Sequence, residues 1–296
     1  MAADVNKTKE RPLVVIIGQT ASGKSDLAIR IARKHNGEII CADSRTIYKG
    51  MDIGTAKPSF SDRRSVKHHL LDVIEPDKAF SASDFKTQAI EALNDIYSKG
   101  KLPIVAGGTG LYINSLVYDF DFGRAPDVKY RDELQKMSLE LLQKKVRDFG
   151  FTGEQIDLKN KRRLIRALEN KGIVRTKKNL SKNTLLLGIR VDEEELKIRI
   201  KTRNEKMIKE GLEKEVRNLV NEYGWNVPGL NAIAYKEWKK YFSNEQNIDE
   251  VKENMFKDNW QYARRQKIWF KRDPNIHWLT SVESLIRQVD QFLIQY

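Results

Sequence analysis

A lysine and a serine follow a spaced pair of glycines near the start of the sequence. Residues 18–25 read GQTASGKS and fit the pattern G-x-x-x-x-G-K-[ST] in full. Glycines in such a loop let backbone N–H groups surround phosphate oxygens, and the helix that follows adds its positive N-terminal dipole. Lys24 adds a point charge, and the Ser25 hydroxyl can ligate Mg²⁺. The predicted binding loop for a diphosphate or triphosphate comprises Gly18, Gln19, Thr20, Ala21, Ser22, Gly23, Lys24 and Ser25.

An aspartate is the second candidate for chemistry. The loop alone suggests ATP, whose sites usually add an aspartate that ends another strand and holds Mg²⁺ through water. The apolar run at 102–110, LPIVAGGTG, ends in glycines and threonine, whereas the run IICA at 39–42 is followed by Asp43. Because open α/β sheets bind ligands at the carboxyl ends of their strands, we expect Asp43 to face the loop. Its carboxylate could take a proton from a hydroxyl or an amine. The alternative is that it only caps the next helix.

Clustered positive charge is the third signal. The chain of 296 residues has 54 Lys and Arg against 41 Asp and Glu, a net charge of +13. Residues 159–182 hold ten basic residues and one acidic residue, and residues 261–272 hold five basic residues and no acidic one. Such blocks favour a polyanionic partner, here a nucleic acid, over a merely solvated lysine-rich surface.

The remaining composition limits the protein class. A single cysteine, Cys41, argues against a disulfide framework and indicates a reducing compartment. The first dozen residues are polar, and no run approaches the roughly 18 apolar residues of a membrane helix. We therefore expect a cytoplasmic protein without a signal peptide or a membrane span.

Alternating strand and helix patterns position these residues. A β-branched run at 14–17 leads into the loop, and a helix pattern over 23–35 follows it, with Gly37 as the expected stop. A second helix pattern over 81–100 precedes the strand at 102–108. This alternation predicts an α/β fold, with a parallel sheet like that of P-loop NTPases.

The pattern changes near Gly123. The chain from Asp127 to about Lys182 reads as charged helices, and the strand pattern returns with TLLLGIRV at 184–191. We therefore predict a helical insertion domain at 124–183 within a core made of 1–123 and 184–296. Long helices are expected over 192–222, with a break near Gly211, and over 247–272. We interpret the aromatic residues in the second of these, Trp260, Trp269 and Phe270, as core residues.

Longer stretches of the chain resemble the tRNA dimethylallyltransferase family. In chain order they are GQTASGKS, ADSRTIYKGMDIGTAKP, HHLLDVIEP, FSASDF, VAGGTGLYINSL, RRLIRALE, IRIKTRNEKMIKEGLEKEV and YARRQKIWFKRDPNIHWL. The resemblance covers about residues 12–280. It implies an enzyme that moves the dimethylallyl group of dimethylallyl diphosphate to N6 of adenosine 37, next to the anticodon of a tRNA. The loop would then hold the leaving diphosphate instead of ATP, with Mg²⁺ on Ser25.

The resemblance also implies roles for single residues. Asp43 is the general base or hydrogen-bond acceptor for the adenine amino group, Thr109 lies at the target base, and Arg203 closes over the diphosphate. Without the resemblance, Arg203 would be read as a surface arginine beside Glu205. The implied tRNA contacts are Asp43, Ser44, Arg45, Thr46, Thr109, Arg131, Arg162, Arg163 and Arg166. Arg162, Arg163 and Arg166 have the spacing of one helix face, which could also be a solvated surface.

Two departures from the family pattern lie on the acceptor side. Residues 157–160 read DLKN where the family usually has His-Pro-Asn-Asp, and Ala234 replaces the family's glycine before Tyr-Lys-Glu. These changes bear on how the acceptor is recognised. They do not touch the residues implied for the donor.

Three other functions fit parts of the sequence. An enzyme that prenylates free AMP, ADP or ATP would share the donor site, but it would not need the two basic blocks. A small-molecule kinase would use the loop and leave the segment DSRTIYKGMDIGTAKP without a role. A nucleic-acid-binding module with an idle loop would not need Lys24 and Ser25. With a partner as large as tRNA, we expect a monomer.

Overall fold

The protein is described by a computed structural model over residues 11–120, 122, 127–153, 156–170 and 178–296. The chain forms two compact units. One contains the described residues up to Val117 together with Leu180–Tyr296, and the other is Tyr118–Asn179. None of the helices in the described ranges combines the length and the apolar character that crossing a bilayer requires.

The larger unit is built on a six-stranded sheet, which confirms the predicted α/β class. Its strands are β1 (Leu13–Gly18), β2 (Gly37–Ala42), β3 (His68–His69), β4 (Leu102–Gly107), β5 (Thr184–Ile189) and β6 (His277–Leu279). Their order across the sheet is β3-β2-β4-β1-β5-β6, and all neighbouring pairs are parallel. All six residues of β1 are buried, as expected for a central strand covered on both faces.

The strand register decides where the functional residues lie. Gly107 of β4 pairs with Ile17 of β1 on one side and with Ala42 of β2 on the other. The loops that leave these three strands therefore begin side by side at one edge of the sheet. A Cβ atom on Gly107 would lie 2.1 Å from the carbonyl oxygen of Ala42, so this close approach requires glycine.

Helices cover the sheet. In the larger unit they are α1 (Lys24–Lys34), α2 (Phe60–Ser65), α3 (Ala82–Ser98), α4 (Gly110–Val117), α8 (Glu193–Lys209), α9 (Leu212–Tyr223), α10 (Lys239–Phe242), α11 (Ile248–Phe270) and α12 (Val282–Leu293). In the smaller unit they are α5 (Val128–Lys136), α6 (Leu139–Asp148) and α7 (Lys161–Glu169). Short 3₁₀ helices lie at Gly229–Asn231 and Lys236–Trp238. The predicted break near Gly211 separates α8 from α9, where that glycine has φ of 98°.

The turn after α1 differs from the predicted one. The left-handed residue that ends the helix is Asn36, with φ of 50°, and not Gly37. Gly37 already belongs to β2, and a Cβ atom there would lie 2.8 Å from the carbonyl oxygen of Leu102. Glycine is needed at 37 for close strand packing, whereas asparagine is among the residues that tolerate the left-handed turn.

A second core of the larger unit lies away from the sheet. The fully buried side chains of Tyr235 and Trp238 pack with Ile47, Met51 and residues of α9 and α11. Ala234, the alanine noted above before Tyr-Lys-Glu, adopts φ of 75°. Glycine adopts such a left-handed backbone without strain, whereas alanine adopts it here at a cost of about 1 kcal/mol.

The described part of the smaller unit consists of helices and connecting segments. Its core contains Leu134, Leu142, Val146, Leu164, Ile165 and Leu168. The DLKN segment, which departs from the family pattern, supplies the cap of α7, since Asn160 Oδ1 accepts from the N–H of Arg163 at 3.2 Å.

A buried carboxyl group sits in the second core. Glu237 is 8% exposed, and neither of its carboxylate oxygens has a hydrogen-bond donor within the described part of the chain. Burial raises the pKa of Glu237 to about 8, and the neighbouring carboxyl group of Asp258 adds to this shift. Oδ2 of Asp258 forms an ion pair with Nζ of Lys236 at 2.6 Å. Glu237 is therefore the group that holds a proton at neutral pH.

We predict that Glu237→Gln raises the midpoint of thermal unfolding at pH 8 and changes it little at pH 5. The folded-state pKa lies above the ordinary value of 4.5, so stability is lost progressively as pH rises between about 4.5 and about 8. The amide never ionises, and we expect a gain of at least about 2 °C at the higher pH. Calorimetry at both pH values measures it. Glu253→Gln, at an exposed position of α11, is the control, and parallel pH profiles for the unaltered protein and Glu237→Gln would contradict the assignment.

Candidate functional site

The loop between β1 and α1 has the geometry of an anion-binding site. Gly23 adopts φ of 89°, which favours glycine, and α1 begins directly after it without a side-chain cap. A Cβ atom on Gly18 would lie 2.5 Å from Oγ of Ser22, so the loop closes tightly over that glycine. An uncapped helix start leaves backbone N–H groups available to a bound anion.

A cavity of about 550 Å³ opens beside this loop. Thr20, Lys24 and Ser25 line it from the loop, and Asp43 lines it from the end of β2. The sequence predicted this meeting of the loop and Asp43, and the parallel register brings it about. Ser22, also part of the predicted loop, is 4% exposed and lines a neighbouring cavity instead. Its hydroxyl oxygen has no hydrogen-bond partner within the described residues.

The cavity combines a cationic part with an apolar part. Positive side chains come from the loop and from α8: Lys24, Arg199, Arg203 and Lys206. Apolar side chains come from α1, β2 and β4: Ala28, Ile39, Cys41 and Ala106. Burial raises the pKa of the Cys41 thiol to about 12, and the nearby Asp43 adds to this effect. A ligand with an anionic group and a small apolar group fits such a cavity.

Two of these cations, Lys24 and Arg203, are half-buried and form no ion pair with a carboxylate among the described residues. Burial lowers the pKa of Lys24 to about 8, with Asp43 opposing the shift and Arg203 adding to it. Burial likewise lowers the pKa of Arg203 to about 10. Nε of Arg203 is buried without a hydrogen-bond partner in the part of the chain that is described. Buried cations cost free energy unless they are paired, so this arrangement is suited to an anionic ligand.

Asp43 and Thr109 are held together by backbone bonds. The N–H of Thr109 donates to the carbonyl oxygen of Ala42 at 3.2 Å, and Oγ1 of Thr109 accepts from the N–H of Ser44 at 3.0 Å. Oδ1 of Asp43 accepts from the N–H of Arg45 at 2.9 Å. No helix begins in the residues that directly follow Asp43, so the helix-cap alternative is wrong and the carboxylate shapes a turn.

The segment that follows Asp43 is fixed by two side chains, Lys57 and Glu215, that the sequence did not reveal. Nζ of Lys57, whose side chain is 1% exposed, donates to the carbonyl oxygen of Tyr48 at 2.6 Å and to Asp52 at 2.7 Å. Glu215 of α9 accepts the N–H groups of residues 52, 53 and 54 at 2.8–3.1 Å. These contacts explain why the long DSRTIYKGMDIGTAKP segment is more specific than a phosphate loop alone.

Helix α11 supplies the residues that sequence reasoning missed. Asn259 Oδ1 accepts from Nη2 of Arg203 at 3.0 Å, which orients that guanidinium group. Tyr262 hydrogen-bonds to the side chain of Thr109, and burial raises its pKa above the ordinary range. Residues 259, 262, 266 and 269 have the spacing of one helix face, and this spacing was the available sequence signal. It was missed because the aromatic residues of this helix were interpreted as core residues.

The core interpretation of the α11 aromatics is right for Phe270 and wrong for Trp269. Phe270 is 2% exposed, and Trp260 packs partly buried against α8. Trp269 is 40% exposed, and a Cβ atom on Gly110 would lie 2.3 Å from its indole ring. An indole that covers the start of α4 therefore stays accessible beside Thr109.

Of the predicted tRNA contacts that follow Asp43, one lines the cavity and two do not. Thr46 is buried and lines the cavity. Arg45 reaches the carbonyl oxygen of Pro228 at 3.4 Å, outside the set of cavity-lining residues. Ser44 bonds to Thr109 as described, so the three consecutive residues do not all line one pocket as expected.

The arginines of the smaller unit divide into two pairs. Arg131 donates to both carboxylate oxygens of Glu169 at 2.6 and 2.8 Å, and Arg166 contacts the same carboxylate at 3.1 Å. Arg162 and Arg163 are exposed, and the carboxylate nearest to Arg163 is Asp157 at 3.9 Å. The prediction that Arg162, Arg163 and Arg166 form one basic face is therefore corrected. Arg166 is half-buried and ion-paired, whereas Arg162 and Arg163 face solvent.

The few oxygen atoms that line the cavity beside the loop suit a metal ion that is held mainly by the phosphates of a bound substrate. Within the described residues, one group of three possible metal ligands occurs, Glu38, His69 and Asp95, at the opposite end of β2 from Asp43. Lysines already neutralise it, since Lys101 donates to Glu38 at 2.8 Å and Lys99 to Asp95 at 2.6 Å. At the loop, Ser25 and Asp43 offer only a few oxygens, as is usual for Mg²⁺ bound through phosphates and water.

A family model described as IPP transferase matches residues 46–273. The tRNA dimethylallyltransferase of Acetivibrio thermocellus is 40% identical over 308 residues, which cover 96% of this chain and 98% of that protein. The tRNA dimethylallyltransferase of Staphylococcus haemolyticus is 38% identical, over 99% of this chain and 93% of that protein. The similarity therefore spans both compact units.

Solved structures are similar over the same extent. The tRNA isopentenylpyrophosphate transferase of Bacillus halodurans matches with a TM-score of 0.74 and 31% identity, covering 97% of this chain and 96% of that one. A eukaryotic dimethylallyltransferase described as acting on tRNA matches with a TM-score of 0.80 and 26% identity, covering 96% of this chain and 78% of that one.

We predict that binding of inorganic diphosphate depends on the charge of Lys24. Because the pKa of Lys24 is about 8, the ammonium group is present below that pH and is lost above it. The affinity should therefore fall by about tenfold between pH 7 and pH 9.5. Isothermal titration calorimetry with Lys24→Arg and Lys24→Met separates this effect from ionisation of the probe. Lys24→Arg should lose this part of the pH dependence and keep affinity, and a Lys24→Met profile parallel to that of the unaltered protein would contradict the prediction.

Proposed function

This chain belongs to the IPP transferase family, and we propose that it transfers the dimethylallyl group of dimethylallyl diphosphate to N6 of adenosine 37 in tRNA. The relatives named above carry tRNA modification of this kind in their names. The observation that carries the proposal is the cavity in which two half-buried cations, Lys24 and Arg203, lie near Asp43. An allylic diphosphate matches both the cationic and the apolar part of that cavity.

The cationic part of the cavity binds the leaving group. Backbone N–H groups of the loop and the side chains of Lys24 and Arg203 hold the diphosphate. As the allylic C–O bond breaks, negative charge builds on the departing oxygen, and these fixed donors stabilise it. When bound, Mg²⁺ on Ser25 would add further charge neutralisation to the same oxygens. The phosphorus atom is not attacked, so no in-line base of the ATPase type is needed.

Asp43 acts on the acceptor. The N6 amino group of adenine is a weak nucleophile because its lone pair is delocalised into the ring. As the bond from N6 to the allylic carbon forms and the bond from that carbon to oxygen breaks, the amino proton passes to the Asp43 carboxylate. General-base help of this kind is worth about 10²- to 10⁴-fold. Thr109, bonded to the turn that holds Asp43, contacts the base.

The target base has to leave its stack to reach Asp43, which an unpaired anticodon loop allows. Ser44, Arg45 and Thr46 adjoin Asp43 and belong to the proposed base pocket. We further propose that the smaller unit, Tyr118–Asn179, contacts the tRNA, mainly through Arg162 and Arg163 and less through the ion-paired Arg131 and Arg166. The form we propose in the cell is a cytoplasmic monomer.

An acceptor assay tests the proposal. The protein is incubated with dimethylallyl diphosphate, Mg²⁺ and one acceptor: unmodified tRNA with adenosines at 36–38, AMP, ADP or ATP. Transfer to tRNA is the expected result. Transfer to the free nucleotides and not to tRNA would overturn the acceptor, and ATP hydrolysis without any prenyl transfer would overturn the reaction.

We predict that Asp43→Ala lowers turnover by about 10²- to 10⁴-fold and leaves tRNA affinity largely intact, because the carboxylate handles a proton and not the phosphate backbone. Single-turnover prenylation and filter binding measure the two effects. Asp77→Ala, at an exposed carboxylate that does not line the cavity, is the control. Turnover within a few-fold of the unaltered protein would show that Asp43 is not the base.

We predict that replacing Arg162 and Arg163 together by glutamine weakens tRNA binding and lowers its salt dependence. Each lost phosphate contact reduces the slope of log K against log salt by about one. Arg131→Gln should instead reduce thermal stability, because it leaves the buried Glu169 carboxylate with fewer donors. Arg287→Gln, exposed on α12, is the matched control. An unchanged slope in the double variant would remove these arginines from the interface.

A further inference from the structure

One buried side chain of α11 connects the loop at 18–25 with the loop after β4. Oε1 of Gln266 accepts from the N–H of Thr20 at 2.7 Å, and its Nε2 donates to the carbonyl oxygen of Gly108 at 2.9 Å. The residue is 4% exposed. An N–H group requires the amide oxygen and a carbonyl requires the amide nitrogen, so the two partners fix the orientation of the side chain.

The two bridged loops belong to opposite ends of the proposed reaction. Thr20 lies in the loop for the leaving diphosphate. Gly108 precedes Thr109, whose N–H and hydroxyl bind the turn that carries Asp43. The path from Thr20 through Gln266 to Gly108 therefore joins the donor side to the acceptor side through one amide group.

Neighbouring contacts hold this bridge in place. Nε2 of Gln19 donates to the carbonyl oxygen of Ala263 at 3.0 Å, which ties the loop to α11 a second time. The hydroxyl of Tyr262, one turn earlier on the helix, interacts with both Thr109 and Gln266. A rigid helix thus supports the amide from one side, and both loops support it from the other.

Glycine at 108 leaves room for the same side chain. A Cβ atom there would lie 2.1 Å from Nε2 of Gln266, closer than any real carbon contact. Gly108 is not among the glycines with positive φ, so the restriction comes from space and not from backbone strain. A substitution at either Gly108 or Gln266 should therefore disturb the same contact.

We propose that Gln266 is a positioning residue that sets the distance between the leaving diphosphate and the acceptor amine. The inference rests on the proposed function, because it assigns the two loops to the two substrates. Group transfer requires the reacting atoms to be held within a narrow range, and a misplacement of about 1 Å can cost about 10²-fold in rate. Gln266 touches neither substrate in this assignment, so its loss acts on the rate of transfer and not on binding of either substrate.

Two substitutions test the bridge from the helix side. Gln266→Met keeps the size of the side chain and removes both hydrogen bonds, and Gln266→Glu keeps an acceptor for Thr20 while placing oxygen against the Gly108 carbonyl. For both we expect kcat for prenyl transfer to tRNA to fall about 10- to 100-fold, with KM for each substrate within about threefold. Gln261→Ala, at an exposed position of the same helix, is the matched control and should leave kcat unchanged.

A double-mutant cycle tests it from the loop side. Gly108→Ala alone should lower kcat, because the added methyl group displaces the Gln266 amide. In a Gln266→Ala background the methyl group meets no amide, so Gly108→Ala should cost little more. This coupling distinguishes a positioning role from general destabilisation, which would make the two losses add.

The outcomes separate this inference from the proposed function. A kcat within threefold of the unaltered protein, with only the melting temperature lowered, overturns the positioning role. A loss confined to KM for one substrate, or additive losses in the cycle, also overturns it. Absence of prenyl transfer by the unaltered protein with any acceptor overturns the proposed function and this assignment together. Circular dichroism at the assay temperature verifies that each variant is folded.

Discussion

Two half-buried cations in one cavity, Lys24 and Arg203, are the feature on which the rest of the site depends. Lys24 and Arg203 lose hydration by lying in the cavity, which lowers the pKa of each and makes an anionic ligand the natural partner. They reach the cavity from different elements, Lys24 from the start of α1 and Arg203 from α8. The parallel sheet, the loop and the orienting contact from Asn259 all serve to keep these charges together against their repulsion.

The strand register determines how close the loop at 18–25 lies to Asp43 and Thr109. Gly107 pairs with both Ile17 and Ala42, so the loop, the Asp43 turn and Thr109 emerge at one edge of the sheet. A side chain at 107 would collide with the Ala42 carbonyl and push the strands apart. The geometry of the proposed site therefore depends on a packing constraint in the sheet as much as on the residues that line the cavity.

The sequence predicted the features that depend on local patterns. The loop at 18–25, the position of Asp43 and the parallel sheet follow from glycine spacing, strand periodicity and the topology of α/β folds. Contacts between distant segments could not be predicted in this way. The ion pair of Arg131 with Glu169, the anchoring of the segment after Asp43 by Glu215, and the exposure of Trp269 all depend on tertiary packing. Basic residues on a helix look alike in sequence, whether a buried carboxylate pairs with them or solvent surrounds them.

The placement of Cys41 bears on the chemical selectivity of the site. A thiolate is a far better nucleophile than the amino group of adenine, and Cys41 lines the cavity proposed for an allylic electrophile. Burial in apolar surroundings raises the pKa of this thiol to about 12, so it stays protonated at neutral pH. The same desolvation that makes the cations receptive to diphosphate thus keeps the Cys41 thiol in its protonated, less nucleophilic form, which disfavours its alkylation by the proposed donor.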